Sequence, residues 1–343
     1  MTSNYVRHLE ALMPMPMGSP ARTPEYARSA WGLPPSINEK RVVELYSDEW
    51  KGGNEGQLAL VSEAAQRAGF GDNPDLLRQK TADSVRVIVE ECLSVRNELL
   101  ILDIGAGPGR SALVVWQKLP TDIQSKARFL LLDPSRDSLE AAKKTMEENR
   151  ISHELICSPD IYADKHVRKG SVDILTGVAS IHHHSAIPFS LYRRLLKPGG
   201  FAVFGDWHNS IWESPFRVYQ FLRAFDWPER ELGLENWKES YPNIAVPEPD
   251  EPADRQANKD ITGFWLGYHQ ILRESGADRL GANAIWPLEG HRPVERYVEE
   301  MQKAGFSLDS PNINRILRRG IISDNPHQLL PQSRLLMLTI GEK

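Results

Sequence analysis

Through the middle of the chain, short apolar runs alternate with stretches in which apolar positions recur every three or four residues. That alternation predicts a mainly parallel sheet covered by helices on both faces. The runs place strands at residues 99–104, 128–132, 154–157, 172–176 and 201–204, with helices at 111–119, 135–148 and 188–196 between them. Ahead of the sheet, helical spacing recurs over 38–50, 58–68 and 74–93, and Asn73 and Pro74 stand where an N-cap and a first helical residue belong. Residues 312–317 and 334–340 read as two further strands. The loop between them, with Asp324-Asn325-Pro326, leaves no room for a crossover helix, so this last pair is expected to form an antiparallel hairpin.

Two segments do not follow this rhythm. Residues 1–35, rich in Pro and Met, show neither period and read as an irregular arm. After the fifth strand, about 85 residues without a sheet pattern hold six of the nine tryptophans, among them Trp207 and Trp212, and a helix at 293–304 follows. The expected division is an N-terminal arm and helical lid at 1–72, a core at 73–206, an inserted Trp-rich cap at 207–291, and completion of the core sheet at 292–343.

Composition narrows the function classes. Of 343 residues, 41% are apolar and 25% charged, which fits a folded chain rather than a disordered one. No apolar stretch is long enough to span a bilayer and no leader pattern opens the sequence, so the expected location is the cytoplasm. The net charge of −5 offers no general attraction to nucleic acid. Cys92 and Cys157 fall within regular elements and are expected to be small core residues rather than a disulfide framework.

The candidate chemistry begins where the first strand runs into Asp103-Ile104-Gly105-Ala106-Gly107-Pro108-Gly109. Glycines allow close approach of a ligand to bare backbone, and the helix start beyond them offers unpaired N–H groups. Gly-x-Gly-x-Gly alone also describes an ordinary tight turn. Asp133, ending the second strand, stands beside that turn, where it can accept from ribose hydroxyls or cap the next helix. Ser158-Pro159-Asp160-Ile161 follows the third strand, and Asp160 is either an acceptor for an adenine amino group or a solvated loop acid. Gly199 and Gly200, in Lys197-Pro198-Gly199-Gly200, read as a helix stop.

The order and spacing of these pieces, with Ser171-Val172-Asp173-Ile174-Leu175 and His182-His183, resemble the class I S-adenosylmethionine-dependent methyltransferases over residues 80–206, and more weakly at 294–306. The resemblance implies a Rossmann-like α/β fold with a seven-stranded, mostly parallel sheet whose last strand is antiparallel, and S-adenosyl-L-methionine as cofactor. It carries the cofactor to Asp103, Gly105, Ala106, Gly107, Asp133, Pro134, Asp160, Ile161 and Val178. Ser158-Pro159-Asp160 departs from the usual third motif, which leaves Asp160 the loosest of these assignments. Tyr46 and Trp50 would close over the site as aromatic residues. A dinucleotide oxidoreductase fits less well, because Gly107 and Gly109 are separated by one residue and not two.

Methyl transfer from a sulfonium is an in-line displacement and needs a base only for acceptors that must lose a proton. His182, His183 and His184 follow the fourth strand, and Asp206, Trp207 and His208 the fifth, so both groups are expected at one cleft. His208 is the first choice of base and His183 the second, with Asp206 beside them; Tyr46, His182, Trp207 and Trp212 are expected to face substrate. No metal is expected. The Trp-rich cap suggests a small planar or hydrophobic acceptor methylated on oxygen or carbon. A protein side chain or RNA as acceptor, or a non-catalytic docking protein, are the alternatives.

Overall fold

The apolar runs form the centre of the sheet because they are enclosed on both faces. The computed structural model describes residues 74–183, 187–207, 294–316, 319 and 336–343. Strands β1 (Leu99–Ile104), β2 (Ala127–Asp133), β3 (Ser152–Cys157), β4 (Val172–Val178) and β5 (Leu196–Trp207) are parallel, and β6 (Leu336–Glu342) runs antiparallel to β5. Their order is β3-β2-β1-β4-β5-β6, so the winding reverses between β1 and β4. In such sheets ligands bind where that reversal leaves a crevice at the carboxyl ends of the strands.

Alternation along the strands sorts side chains to two faces. Helix α1 (Pro74–Ile88) packs on one face over β4, β5 and β6, beside α2 (Arg110–Lys118), while α4 (Arg136–Glu148) covers β2 and β3. A short α3 (Thr121–Gln124) links α2 to β2. Helices α5 (Phe189–Leu195) and α6 (Val294–Lys303) pack on the other face against β5 and β6. There Leu102, Ile104, Leu175 and Phe204 meet Phe189, Tyr192, Tyr297 and Met301 in one core cluster, with Phe189 edge-on to Phe204 at 5.5 Å between ring centres.

Three expectations are corrected. The segment expected as a strand at 312–317 is instead the helix α7 (Pro311–Ile316). Ser310 Oγ accepts from Ile313 N at 3.1 Å and Pro311 opens the first turn, a pairing of cap and proline that favours a helix over a strand. Ile313 and Ile316, three residues apart, are the buried positions. Hence β6 has no hairpin partner in that segment; a single antiparallel bridge, Ser307 to Glu342, joins it to the chain ahead of α7, and the described sheet has six strands where seven were expected. Second, Gly199 and Gly200 do not stop a helix. Leu196, in extended conformation, ends α5, and the glycines lie in an irregularity at the start of β5, where pairing with β4 passes from Val172↔Leu196 directly to Ile174↔Phe201. Third, Cys157 is exposed and Cys92 half-buried, so neither is a core residue.

The amino ends of the strands are tied by Asp173 on β4, whose side chain is fully enclosed. It accepts from Leu100 N at 2.9 Å, from Lys197 Nζ at 2.8 Å and from the Arg96 guanidinium, joining β1, β4 and β5. Removing the carboxylate strands a buried amide and two cations, each about one-third exposed and able to rehydrate in part. Asp173→Ala is expected to lower the free energy of unfolding by ~3 kcal/mol in a urea titration. A change below ~1 kcal/mol would show that water replaces the tie.

Candidate active site

At the end of β1 the chain enters the turn in left-handed backbone, with φ of 61° at Gly105, 51° at Gly107 and 77° at Gly109. Side chains rarely adopt these values. At Gly105 space forbids one as well: a Cβ there would stand 2.5 Å from the Cβ of Ser180, on the segment that follows β4. The two segments leaving the strands that flank the reversal thus meet with the bare backbone of Gly105 against the Ser180 side chain. Gly109 occupies the N-cap position of α2 without a side-chain cap, leaving the first amides of that helix turned to the glycine loop.

Asp133, at the end of β2, fixes the loop from the other side. Its Oδ2 accepts from Gly107 N at 2.9 Å and its Oδ1 from Ser135 N at 2.8 Å. Capping of α4 falls to Ser135, whose Oγ accepts from Ser138 N at 3.3 Å, so Asp133 does not serve as the cap of that helix. Pro134 beside it is half-buried and Ala106 buried.

Asp103 lies beneath the turn on the face covered by α1, and is 1% exposed. Its Oδ1 accepts from Thr176 Oγ1 at 3.0 Å, and its Oδ2 has no hydrogen-bond partner among the described residues. Burial pushes this carboxyl up to about 7; the Thr176 hydrogen bond opposes the shift, the nearby Asp133 charge adds to it and Arg78 counters it. A buried carboxylate oxygen left unpaired beside a cradle that no Cβ could enter fits the polar end of a ligand, here the S-adenosylmethionine implied by the sequence.

Across the crevice, Ala179 takes a left-handed φ of 51° just after β4, and its N–H donates to Gly205 O at 2.8 Å. Backbone strain of this kind persists where the surroundings enforce it. It aims the turn Ile181–His183 back at β5, where His182 Nδ1 lies 2.6 Å from Asp206 Oδ1 and His182 N donates to Asp206 Oδ2 at 3.1 Å. Asp206 is wholly enclosed and His182 nearly so. With Asp206 ionised, Nδ1–H donates to it and the acceptor lone pair of the ring resides on Nε2.

Asp160 is buried, and its Oδ2 accepts from the Tyr192 hydroxyl on α5. Burial, with the Asp160 charge behind it, holds that phenol well above its usual range. Ile161 is half-buried and Val178 buried at the same edge. Tyr46, Trp50, His208 and Trp212 lie outside the described residues, as do the side chains of His183 and Trp207. Sequence reasoning passed over Arg78, Thr176 and Ser180. The available signal was Arg78 and Thr81, one helical turn apart on the stripe of α1 that also buries Leu77 and Ala82.

Among the described residues no group of His, Cys, Asp and Glu is arranged to hold a metal ion, and no helix is long and apolar enough to cross a membrane. Residues 101–200 match a family model described as a methyltransferase domain. Among solved structures, DszA carbon methyltransferase is 13% identical with a TM-score of 0.48 over 99% of this chain and 66% of that one, so this chain spans just under two-thirds of its length. The plantazolicin methyltransferase BamL, solved with a substrate analogue and S-adenosylhomocysteine, is 14% identical with a TM-score of 0.39 over 89% of this chain and 96% of that one. A SAM-dependent methyltransferase from Aquifex aeolicus is 10% identical with a TM-score of 0.39 over 79% and 98%. No curated protein matches the sequence.

The raised carboxyl of Asp103 has a measurable consequence. Unfolded, the group titrates near ~4, and folded at about 7. The native state therefore holds the proton more tightly, and stability contributed by the protonated form is complete at low pH and is lost as pH rises towards 7. Asp103→Asn, which cannot ionise, is expected to gain melting temperature relative to the parent at pH 8 and to lose that gain towards pH 5. An equal difference at both pH values, read by thermal denaturation, would sink the assignment.

Proposed function

We propose that this chain, a class I S-adenosylmethionine-dependent methyltransferase by its methyltransferase domain and its strand order, transfers the methyl group to oxygen or carbon of a small organic acceptor that is planar or hydrophobic. The observation that carries the reading is the glycine turn held between Asp133 and Ser180 at the reversal of the sheet, with the unpaired Asp103 oxygen beneath it. When bound, S-adenosylmethionine supplies a methyl group on a positively charged sulfur, open to in-line attack.

In this reading the bare backbone of the turn at Gly105, Ala106 and Gly107 lies against the amino-acid end, Asp133 with Pro134 against the ribose, and Ile161 and Val178 against the faces of the adenine. Asp160, after β3, serves the adenine amino group. Proton removal from the acceptor falls to the imidazoles after β4 and β5: His182, oriented by Asp206, with His183 and His208 as the other candidates. Asp206 is enclosed and acts through His182. Segment 207–291, with Trp207 and Trp212, and Tyr46 from 1–72 would form the acceptor pocket over the core at 73–206.

Titration calorimetry with S-adenosylmethionine and S-adenosylhomocysteine tests the first part. The parent is expected to bind both, and Asp133→Asn, which keeps the shape of the side chain but not its charge, to lose at least ~10-fold in affinity while folding normally. Unchanged affinity would remove Asp133 from the site, and no binding by the parent would overturn the cofactor. Cell extract incubated with the protein and a deuteromethyl donor is expected to yield a labelled small molecule, whereas label confined to protein or RNA would overturn the small-acceptor reading.

A further inference from the structure

Tyr192 is a buried phenol placed where a phenylalanine would pack as well. It lies on α5, fully enclosed, with its ring between Phe189, edge-on at 6.1 Å between centres, and Phe204, tilted by 37° at 5.9 Å. Packing of this kind fixes the ring and with it the direction of the hydroxyl. That hydroxyl donates to Asp160 Oδ2, 32 residues earlier in the chain.

Asp160 opens the helical turn Asp160–Lys165 that follows β3. Backbone contacts set where the turn begins: Ser158 N donates to Asp133 O at 3.2 Å, Tyr162 N donates to Pro159 O at 3.0 Å, and Pro159 enters in extended conformation. They do not set the rotamer of the Asp160 side chain. Tyr192 does so from another part of the sheet, because α5 belongs to the connection between β4 and β5, across the reversal from β3. Burial, with the Asp160 charge behind it, holds the phenol well above its usual range, so the hydroxyl keeps its proton to donate. Donation from a hydroxyl favours the ionised acid, and an ionised carboxylate is acceptor-only, with ~four lone-pair sites.

An acceptor-only group at the edge of a purine separates two kinds of base. A 6-amino purine offers it an N–H, whereas a 6-oxo purine turns a carbonyl oxygen towards it, and two acceptors facing one another in an enclosed place cost free energy. We propose that Tyr192 is the positioning residue for base selection: by donating to Asp160 it holds that acid as an acceptor towards the adenine amino group, so that the site takes a 6-amino purine and rejects a 6-oxo one. The inference rests on the donor and on the role of Asp160 given under Proposed function, and adds to them a residue of the core that acts only through Asp160.

The test compares S-adenosylhomocysteine with S-inosylhomocysteine, which carries an oxo group in place of the amino group, by titration calorimetry on the full chain. The parent is expected to bind the adenosyl probe ~10-fold or more tightly. Tyr192→Phe, which keeps the ring, is expected to weaken S-adenosylhomocysteine by ~5- to 10-fold and to leave S-inosylhomocysteine within about twofold. Asp160→Asn, whose amide donates as well as accepts, should also abolish discrimination, and adding Tyr192→Phe to it should change the ratio by less than about twofold. Equal weakening of both probes by Tyr192→Phe would show that the hydroxyl only ties α5 to the turn after β3. That result, an unaltered ratio, or full additivity of the two substitutions would each overturn the proposal. A parent that binds both probes equally would refute reading of the base by Asp160 and leave the donor in place, while a parent that binds neither would refute the donor itself. Should Tyr192→Phe fail to fold, proton magnetic resonance of the parent decides: the Tyr192 hydroxyl proton is expected to shift on binding S-adenosylhomocysteine and to shift less with S-inosylhomocysteine. Equal shifts, or none, would overturn the proposal.

Discussion

The rest of the site depends on the contact between Gly105 and the segment after β4. Because a Cβ at Gly105 would meet Ser180 at 2.5 Å, the loops leaving β1 and β4 share space that only a hydrogen can fill. This approach happens where the strand order reverses, so the crevice created by the winding has Gly105 and Ser180 in contact at its base. The consequences spread outwards. The turn must leave β1 with positive φ, α2 must start without a side-chain cap, and Ala179 accepts an unfavourable backbone conformation to direct the chain towards Asp206. Asp133 holds the other edge through Gly107, and the turn is thereby braced on both sides before any ligand arrives.

Polar groups near this contact are arranged against stability. Asp103 and Arg78 are buried with unpaired atoms, whereas Asp173, at the opposite ends of the strands, is just as deeply enclosed and has three donors. The same residue type on adjacent strands therefore meets two outcomes. At the amino ends the carboxylate is satisfied and joins strands together. At the carboxyl ends it is left short, and its proton is held up to about 7. Groups left incomplete in this way mark positions kept for something other than folding.

The parallel strands were legible because burial on both faces forces continuous apolar runs such as Leu99 to Leu102 and Phe129 to Leu132. The glycine turn was legible because positive φ and close approach select glycine almost uniquely. Asn312 to Leu317 was misread for a related reason: a six-residue segment with two isoleucines carries too little period to separate strand from helix, and the deciding information lay just upstream in Ser310 and Pro311. Lys197-Pro198-Gly199-Gly200 carries genuine turn chemistry, but glycine after a helix does not say whether it ends the helix or bulges the strand that follows. Arg78 carried only a faint signal, its place one helical turn from Thr81 on the apolar stripe of α1. An arginine on an amphipathic helix is usually a solvated one, and its burial follows from how α1 lies over β4 and β5, which depends on the whole sheet.

The period of two along β5 separates the chemistry into faces. Gly205 turns towards Thr81 and Leu77 of α1, while Asp206, one residue on, reaches His182 on the opposite side. On β1 and β4, Asp103 and Thr176 share the α1 face with Arg78. Asp103, Thr176 and Arg78 thus lie on one side of the sheet, and His182 with Asp206 lies on the other. Ala179 and Ser180, on the segment that leaves β4, lie between them at the carboxyl ends. The pleat sends Gly205 and Asp206 to opposite faces, so polar groups from both sides of the sheet reach the same carboxyl edge, where the winding leaves its crevice.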